Sequence, residues 1–221
     1  CHEGHVGVVR ALVELGADVN ARVGEDQYRY LHWGAWYGRS AVVVYLVEEC
    51  GLGVHVGDYF SHPPLLRAVM EDHVGCVDEL LRMGADVQWR TGSGWTYLHS
   101  ALTDCAEGVL RYLLGDGRID VDAVDKGGWS ALMSASRSDC GGVVRILMGW
   151  YASKGQRVPG WGACVEGAAE RGSAAALGVL LEYVGEVVEE GGRAGVLGRA
   201  LGKAKAEGRE ECVAVLEGGG A

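Results

Sequence analysis

Phenylalanine occurs once in this chain of 221 residues, as Phe60, and proline three times. No apolar run approaches the ~20 residues that span a bilayer; the longest near-continuous one is Ala41 to Val47. Membrane insertion is therefore not expected, and no charged-then-apolar leader pattern opens the chain. Basic residues are outnumbered 20 to 30 by acidic ones, giving a formal net charge of −10, and they form no run or stripe. A surface that neutralises phosphates is missing, so no nucleic acid partner is expected. The single asparagine, Asn20, is followed by Ala21 and Arg22, so there is no N-glycosylation sequon. Seven cysteines stand at 1, 50, 76, 105, 140, 164 and 212. Their number is odd and they contain no C-x-x-C pair, which argues against a disulfide framework and against a zinc ribbon. A reducing intracellular compartment, cytoplasmic or nuclear, is the expectation. Neither a G-x-x-x-x-G-K-[ST] phosphate loop nor a strand-linked G-x-G-x-x-G occurs, so no nucleotide cofactor is implied.

What the chain has in quantity is glycine, 37 residues spread along its length, and 48% apolar residues, enough for a substantial core. It also has a period. Leu31, Leu65, Leu98 and Leu132 each open a similar local pattern at spacings of 34, 33 and 34 residues, followed by Val165 after 33 and Leu201 after 36. Sustained self-similarity at this period marks a stack of supersecondary units. Within each unit a short first helix carries small and branched residues, as at Leu98, Ala101 and Leu102. A second helix has apolar positions at helical spacing, as at Val8, Val9, Leu12 and Val13. Thr96 and Ser130 are suited to cap first helices, and Pro64 to a first helical turn. Gly16, Gly84 and Gly117 are suited to end second helices in the left-handed conformation. Two such helices cannot cover their own apolar faces, so neighbouring units must do it.

The segments Thr96-Tyr97-Leu98-His99-Ser100-Ala101, Leu31-His32-Trp33-Gly34-Ala35 and Ala168-Ala169-Glu170-Arg171-Gly172 resemble the first half of an ankyrin repeat. Gly4-His5-Val6-Gly7-Val8-Val9, followed by Gly16-Ala17-Asp18-Val19-Asn20-Ala21, resembles the second half, which recurs at His73 to Val77 and Gly84 to Val87. The resemblance implies an all-α solenoid of helix-turn-helix repeats with protruding hairpin loops. We divide it as follows: 1–22, the second half of a truncated repeat; 23–56, 57–90, 91–123 and 124–157, full repeats; 158–193, a degenerate repeat; 194–217, a C-terminal capping repeat; and 218–221, a flexible tail, all in one continuous solenoid. Extra residues are expected between Tyr183 and Ala194, near Glu189 to Gly192. The apolar second helix of the first, incomplete repeat suggests that Cys1 is not the natural start of the gene product.

The resemblance also assigns the histidines. His32 and His99 fall in the T-P-L-H slot, and His5 and His73 in the G-H slot, where the family uses the ring to hydrogen-bond backbone between repeats. Cys1, His2 and His5 could pass for a metal cluster, but His5 has this framework role and too few ligands remain. Asp72, His73 and Cys76 could be drawn as an acid, base and thiol; Cys76 and Cys212, however, occupy apolar second-helix positions and read as buried small hydrophobes. Cys105 and Cys140 lie near corresponding turns of successive repeats, about 10 Å apart and too far for a disulfide, and read as free thiols. Asn20 matches an asparagine that some ankyrin proteins have modified by an oxygenase. No catalytic residue, cofactor, metal or small-molecule substrate is implied.

Ankyrin arrays bind partners through loop tips and the exposed side of first helices, and the resemblance carries these positions over. Three residues before the anchor leucine stand Tyr28, His62, Trp95 and Trp129 in successive repeats. Loop tips place Glu25 with Asp26, then Tyr59 with Phe60; five and six residues after the anchor come Trp36 with Tyr37, then Met70 with Glu71. Aromatic residues concentrate where binding hot spots form. The expected contact set is Tyr28, Trp36, Tyr37, Tyr59, Phe60, His62, Met70, Trp95 and Trp129, with an acidic rim of Glu25, Asp26, Asp58 and Glu71, and Trp33, Trp89 and Trp150 as framework. The implied function is non-catalytic binding of another protein, or of another domain of the same full-length chain; the alternative is the recognition or regulatory segment of a larger enzyme or receptor.

Overall fold

The computed structural model describes residues 3–24, 26–183 and 193–218. The extra residues expected between Tyr183 and Ala194, all but Gly218 of the expected tail 218–221, the rim residue Glu25, and Cys1 with His2 lie outside the described residues. The fold is all-α, and the chain forms two compact units, 1–119 and 120–221.

In the first unit, α1 (Val6–Glu14) is followed by a two-residue ribbon, β1 (Arg22–Val23) paired antiparallel with β2 (Tyr28–Arg29). Three helix pairs follow. They are α2 (Tyr30–Trp36) with α3 (Ser40–Val44), α4 (Pro64–Met70) with α5 (Val74–Arg82), and α6 (Tyr97–Ser100) with α7 (Glu107–Asp116). The α3 helix widens into a π-helical turn over Tyr45–Glu49. First helices pack on first helices, α2 on α4 and α4 on α6, and second helices on second helices, α1 on α3, α3 on α5 and α5 on α7. The second unit repeats the scheme with α8 (Ala131–Arg137) and α9 (Gly141–Ser153), α10 (Trp161–Arg171) and α11 (Ala174–Glu182), then α12 (Arg193–Ala206) and α13 (Glu210–Gly218).

The core is where the period places it. Leu31, Leu65, Leu98, Leu132 and Val165 are all buried, while Leu201 is half-buried. Local chemistry ends the helices as expected: Ser130 Oγ accepts from the Met133 amide at 3.2 Å, Pro64 sits in the first turn of α4, and Gly16, Gly84 and Gly117 have positive φ. At Thr96 the cap is reciprocal. Its backbone N–H donates to Nδ1 of His99, and its hydroxyl lies 2.9 Å from the same nitrogen.

The framework histidines tie repeats together. His32 Nδ1 accepts from the Arg29 amide, so Nε2 carries the proton and donates to the His62 carbonyl at 3.0 Å; burial holds this imidazole below its usual pKa. His73 Nε2 lies 2.9 Å from the Trp36 carbonyl, and the Asp72 carboxylate takes the Gly108 and Val109 amides. Cys76 and Cys212 are buried as expected, and burial pushes the Cys76 thiol up, away from the thiolate a nucleophile needs. The supposed acid, base and thiol are thus each engaged in joining repeats. One expectation is corrected: Cys105 and Cys140 are not free thiols, for both are disulfide-bonded. The repeat spacing separates equivalent positions only. Cys140 caps its helix, whereas Cys105 stands in a left-handed turn one residue before a cap. The cysteine argument for a reducing compartment falls with it.

Candidate partner-binding surface

The aromatic residues of repeats two and three divide into a packed cluster and an exposed pair. Tyr28 begins β2, where Val23 pairs with it, and the ring turns inward, 6% exposed. It meets Trp33 and Trp36 edge-on at 5.6 and 5.5 Å between ring centroids. Trp33, Trp36 and Tyr37, at the helical spacings that bring side chains onto one face, stack with interplanar angles of 9 to 18° and remain half-buried. Into this cluster projects the guanidinium of Arg67 from α4, 4.9 Å from the Tyr28 centroid and 5.3 Å from that of Trp36.

Asp58 completes the arrangement and corrects the acidic rim. Its side chain is fully buried, and Nη2 of Arg67 donates to Oδ2 at 3.2 Å. Its Oδ1 accepts from the amides of Phe60 and His62, both at 2.9 Å. The loop is further closed by Asp58 N–H to the His62 carbonyl, Ser61 N–H to the Asp58 carbonyl, and Tyr59 N–H to the Asp26 carbonyl. Ser61 has φ +62°, and a Cβ at Gly57 would lie 2.8 Å from the Ser61 backbone, so only glycine allows this approach. On this braced tip Tyr59 and Phe60 stand 67% and 59% exposed, ring to ring at 5.1 Å and 89°.

The remaining expected contact residues are distributed unevenly. His62 is half-buried beside Asp58, its Nδ1 3.5 Å from Oδ2, and its ring meets Phe60 and Trp89. Met70 is half-buried on α4, while Asp26 and Glu71 are exposed and do form acidic edges. Trp95 is partly exposed and stacks on His99. In the second unit Trp129 is partly exposed, with the Arg137 guanidinium 4.6 Å above it. Tyr28 alone is withdrawn from the surface: a phenol ring covered by two indoles and a guanidinium is a support for the others and not an anchor.

Two kinds of role escaped sequence reasoning. Asp58, Thr91 and Asp125 each stand four residues before the ring column, and each side-chain oxygen accepts the amide of that column residue, at 2.9 Å in all three. Their spacing of 33 and 34 residues was a readable signal. Arg67 lies two residues after the anchor Leu65, a column in which Trp33, Ser100 and Ser134 share no chemistry, so no pattern marked it. Among the described residues, no group of three or more His, Cys, Asp or Glu is placed to hold a metal ion, and no helix is long and apolar enough to cross a membrane.

The chain is 28% identical to palmitoyltransferase AKR1 of Lachancea kluyveri over 158 residues, covering 69% of this chain and 21% of that protein. It is 33% identical to palmitoyltransferase Hip14 of Drosophila melanogaster over 96 residues, 43% of this chain and 15% of that one. It is 39% identical to human protein phosphatase 1 regulatory subunit 27 over 64 residues, 29% of this chain and 41% of that one. The chain thus spans about a fifth or less of the length of these palmitoyltransferases. Residues 1–47 and 65–158 match family models described as ankyrin repeats in many copies and in three copies, and with the helix pairs and framework histidines above, the chain belongs to the ankyrin repeat family.

Proposed function

We propose that the chain is a protein-interaction module whose first unit engages a protein partner through its loop tips and first-helix face, with Tyr59 and Phe60 as the leading contacts. One observation carries the reading: two large rings are held out from the molecule on a loop that every local hydrogen bond stiffens. Rings presented this way bury area without a large ordering cost. His62, whose ring meets Phe60, and the half-buried Trp36, Tyr37 and Met70 are further contacts in this reading, with Trp95 partly exposed in the same unit and Trp129 a comparable ring in the second unit. Asp26 and Glu71 favour a basic or mixed partner surface. The reading calls on no cofactor, metal or nucleic acid.

The test is site-specific. A photo-crosslinking residue at Tyr59 should capture a defined protein in the cell of origin, and Tyr59→Ala with Phe60→Ala should reduce that partner's affinity at least ~30-fold, in line with hot-spot losses of about 2 kcal/mol or more. Helical content should not change. Equal affinity of the double variant would overturn the placement.

The relatives favour a second reading, in which the module is the recognition segment of a larger palmitoyltransferase. An assay of palmitate transfer by the full-length gene product decides it. Transfer that falls on Tyr59→Ala and Phe60→Ala for a protein substrate supports the reading, and a gene product with no transfer activity removes it.

A further inference from the structure

Two aromatic residues of the first unit break the pattern of the repeats. The segments Asp18-Val19-Asn20-Ala21, Asp86-Val87-Gln88-Trp89 and Asp120-Val121-Asp122-Ala123 correspond, so Trp89 stands where its counterparts are alanine. In each segment the aspartate side chain accepts the amide two residues on, so the backbone runs alike and only the ring is new. The residue before the anchor is Tyr30, Pro64, Tyr97 or Ala131, and of the two tyrosines only Tyr97, which begins α6, is buried. Trp89 and Tyr97 stack on each other, 5.8 Å between centroids and 29° between planes.

Together they wall a recess that His55, Ser61, Pro63 and Asp86 also line, with about 280 Å³ between its walls and the solvent at its mouth. Tyr97 is 1% exposed, yet its hydroxyl has no hydrogen-bond partner among the described residues, where a buried group of this kind ordinarily has one. Burial, and then the charge of Asp86, hold this phenol above its ordinary range, so it is neutral and lies within the field of that carboxylate. Asp86 Oδ1 accepts the Gln88 amide at 2.8 Å, and among the described residues no lysine or arginine pairs with the carboxylate. Arg118, whose carbonyl accepts from the Gln88 side chain, is held by Asp116, and Arg67 by Asp58. The recess therefore combines an unpaired carboxylate and an unpaired phenol with walls of ring and proline.

We infer that this recess is a binding subsite for a primary ammonium group, the end of a lysine side chain carried by a protein partner. An ammonium brings three donors and no acceptor on a slim apolar stem, which matches acceptors at Asp86, Tyr97 and Ser61 between the faces of Trp89 and Pro63. An anion would meet the Asp86 charge, and an apolar tip would leave the Tyr97 hydroxyl unpaired. That the lysine belongs to a protein rests on the role proposed above for Tyr59 and Phe60, beside which the recess lies. The Phe60 and Trp89 centroids are each 5.8 Å from that of His62, so an extended segment of about four residues reaches from the exposed pair to the recess. The partner then carries an apolar contact and a lysine at that spacing.

The probe is Nα-acetyl-lysine methylamide, titrated into the ¹⁵N-labelled chain. It should shift the Trp89 indole and Gln88 amide signals saturably, with a Kd of about 1–10 mM. Asp86→Asn keeps an oxygen for the Gln88 amide and should weaken this binding at least ~10-fold. Tyr97→Phe should weaken it at least ~3-fold while leaving the urea midpoint unchanged or higher, because the hydroxyl bonds to nothing in the fold. A lower midpoint with unchanged binding would make that hydroxyl part of the fold alone and overturn the inference. So would equal shifts from the norleucine analogue, tighter binding of the arginine analogue, or no saturation by the lysine compound up to about 100 mM. Tyr59→Ala with Phe60→Ala should leave the lysine titration as it is, so the two sites are judged apart. Lysine binding that Asp86→Asn removes, beside a partner affinity that the loop-tip variant leaves intact, would support the recess and remove the loop-tip reading.

Discussion

Replacing Asp58 with alanine removes the acceptor of two backbone amides and the counterion of Arg67 in one step. The carboxylate is fully buried and the guanidinium nearly so, its side chain 16% exposed. Hydrogen bonds to charged groups contribute about 1.5–3 kcal/mol each, and removing one member of a buried ion pair costs about 3–5 kcal/mol because the other charge is left without compensation. These contributions overlap, since the pair is itself one of the hydrogen bonds, so we expect a loss of about 4 kcal/mol for Asp58→Ala. Asp58→Asn retains an oxygen for the Phe60 and His62 amides and should lose about 2 kcal/mol. Adding Arg67→Met to Asp58→Asn removes the stranded cation and fills its place between the Tyr28 and Trp36 rings with an apolar chain. The double variant should therefore be more stable than Asp58→Asn alone, a reversal that only coupled residues show. Urea unfolding followed by far-ultraviolet circular dichroism measures it. With a slope of about 2 kcal/mol per molar, the midpoint for Asp58→Ala should fall by about 2 M. Native-state hydrogen exchange should show the Phe60 and His62 amides losing protection first. A loss under about 1 kcal/mol for Asp58→Ala, or a double variant no better than Asp58→Asn, would refute the picture of a counterion-locked loop.

Other consequences can be measured independently. His32 is buried and neutral, and its Nδ1 must keep a lone pair for the Arg29 amide. A folded-state pKa below the unfolded value means that its contribution is present above about pH 6.5 and is lost as pH falls through the folded value. Midpoints measured between pH 7 and pH 4 should therefore decline, and His32→Gln should flatten the decline. Gly38 has φ +66°, and a Cβ there would lie 2.7 Å from the His73 imidazole that bonds to the Trp36 carbonyl, so Gly38→Ala should cost about 2–3 kcal/mol in the same denaturation assay. Tyr112 donates to Asp78 at 2.7 Å, and this hydrogen bond to a carboxylate pushes the phenol up to about 12. Its contribution is complete below about pH 10 and is lost as pH rises through 12. Burial also holds Tyr97 and Tyr151 above the ordinary range, so ultraviolet titration should find several late tyrosines, of which one moves earlier in Asp78→Asn.

The helical architecture was legible because each repeat states it again. Leucine anchors, glycine helix ends and the cap at Ser130 recur at one period, and local chemistry agrees with the packing that follows. Burial of Cys76 and Cys212 was legible for the same reason, from their place in an apolar column. The fate of individual rings was not. Tyr28 and Trp95 hold the same column, yet one is covered and the other partly exposed, for an arginine and two tryptophans converge on Tyr28. That convergence joins residues 28, 33, 36 and 67, and no periodic rule relates a cation in one column to rings in two others. Asp58 was read as a surface acid for lack of its partner Arg67. The disulfide-bonded state of Cys105 and Cys140 was missed because spacing between equivalent positions says little about residues that leave the backbone in different conformations.

The packed cluster and the exposed pair are one device. Arg67 could not sit between Tyr28 and Trp36 without Asp58, since a guanidinium withdrawn from water needs a carboxylate, and Asp58 could not be buried without the two loop amides that share its charge. The same amides belong to Phe60 and His62, so the bond that makes burial tolerable also sets the loop that carries Tyr59 and Phe60. Stability and presentation therefore separate cleanly by residue. Tyr59→Ala and Phe60→Ala should change unfolding by no more than about 0.5 kcal/mol, as surface positions do, while removing the contacts offered to a partner. Asp58→Asn, which touches no partner, should weaken the same association chiefly by letting the tip sample other conformations before binding, a loss that appears in the entropy of association and shrinks on cooling. If Asp58→Asn left affinity and its temperature dependence unchanged while destabilising the fold, the buried cluster would be a core feature alone, with no part in holding the rings out.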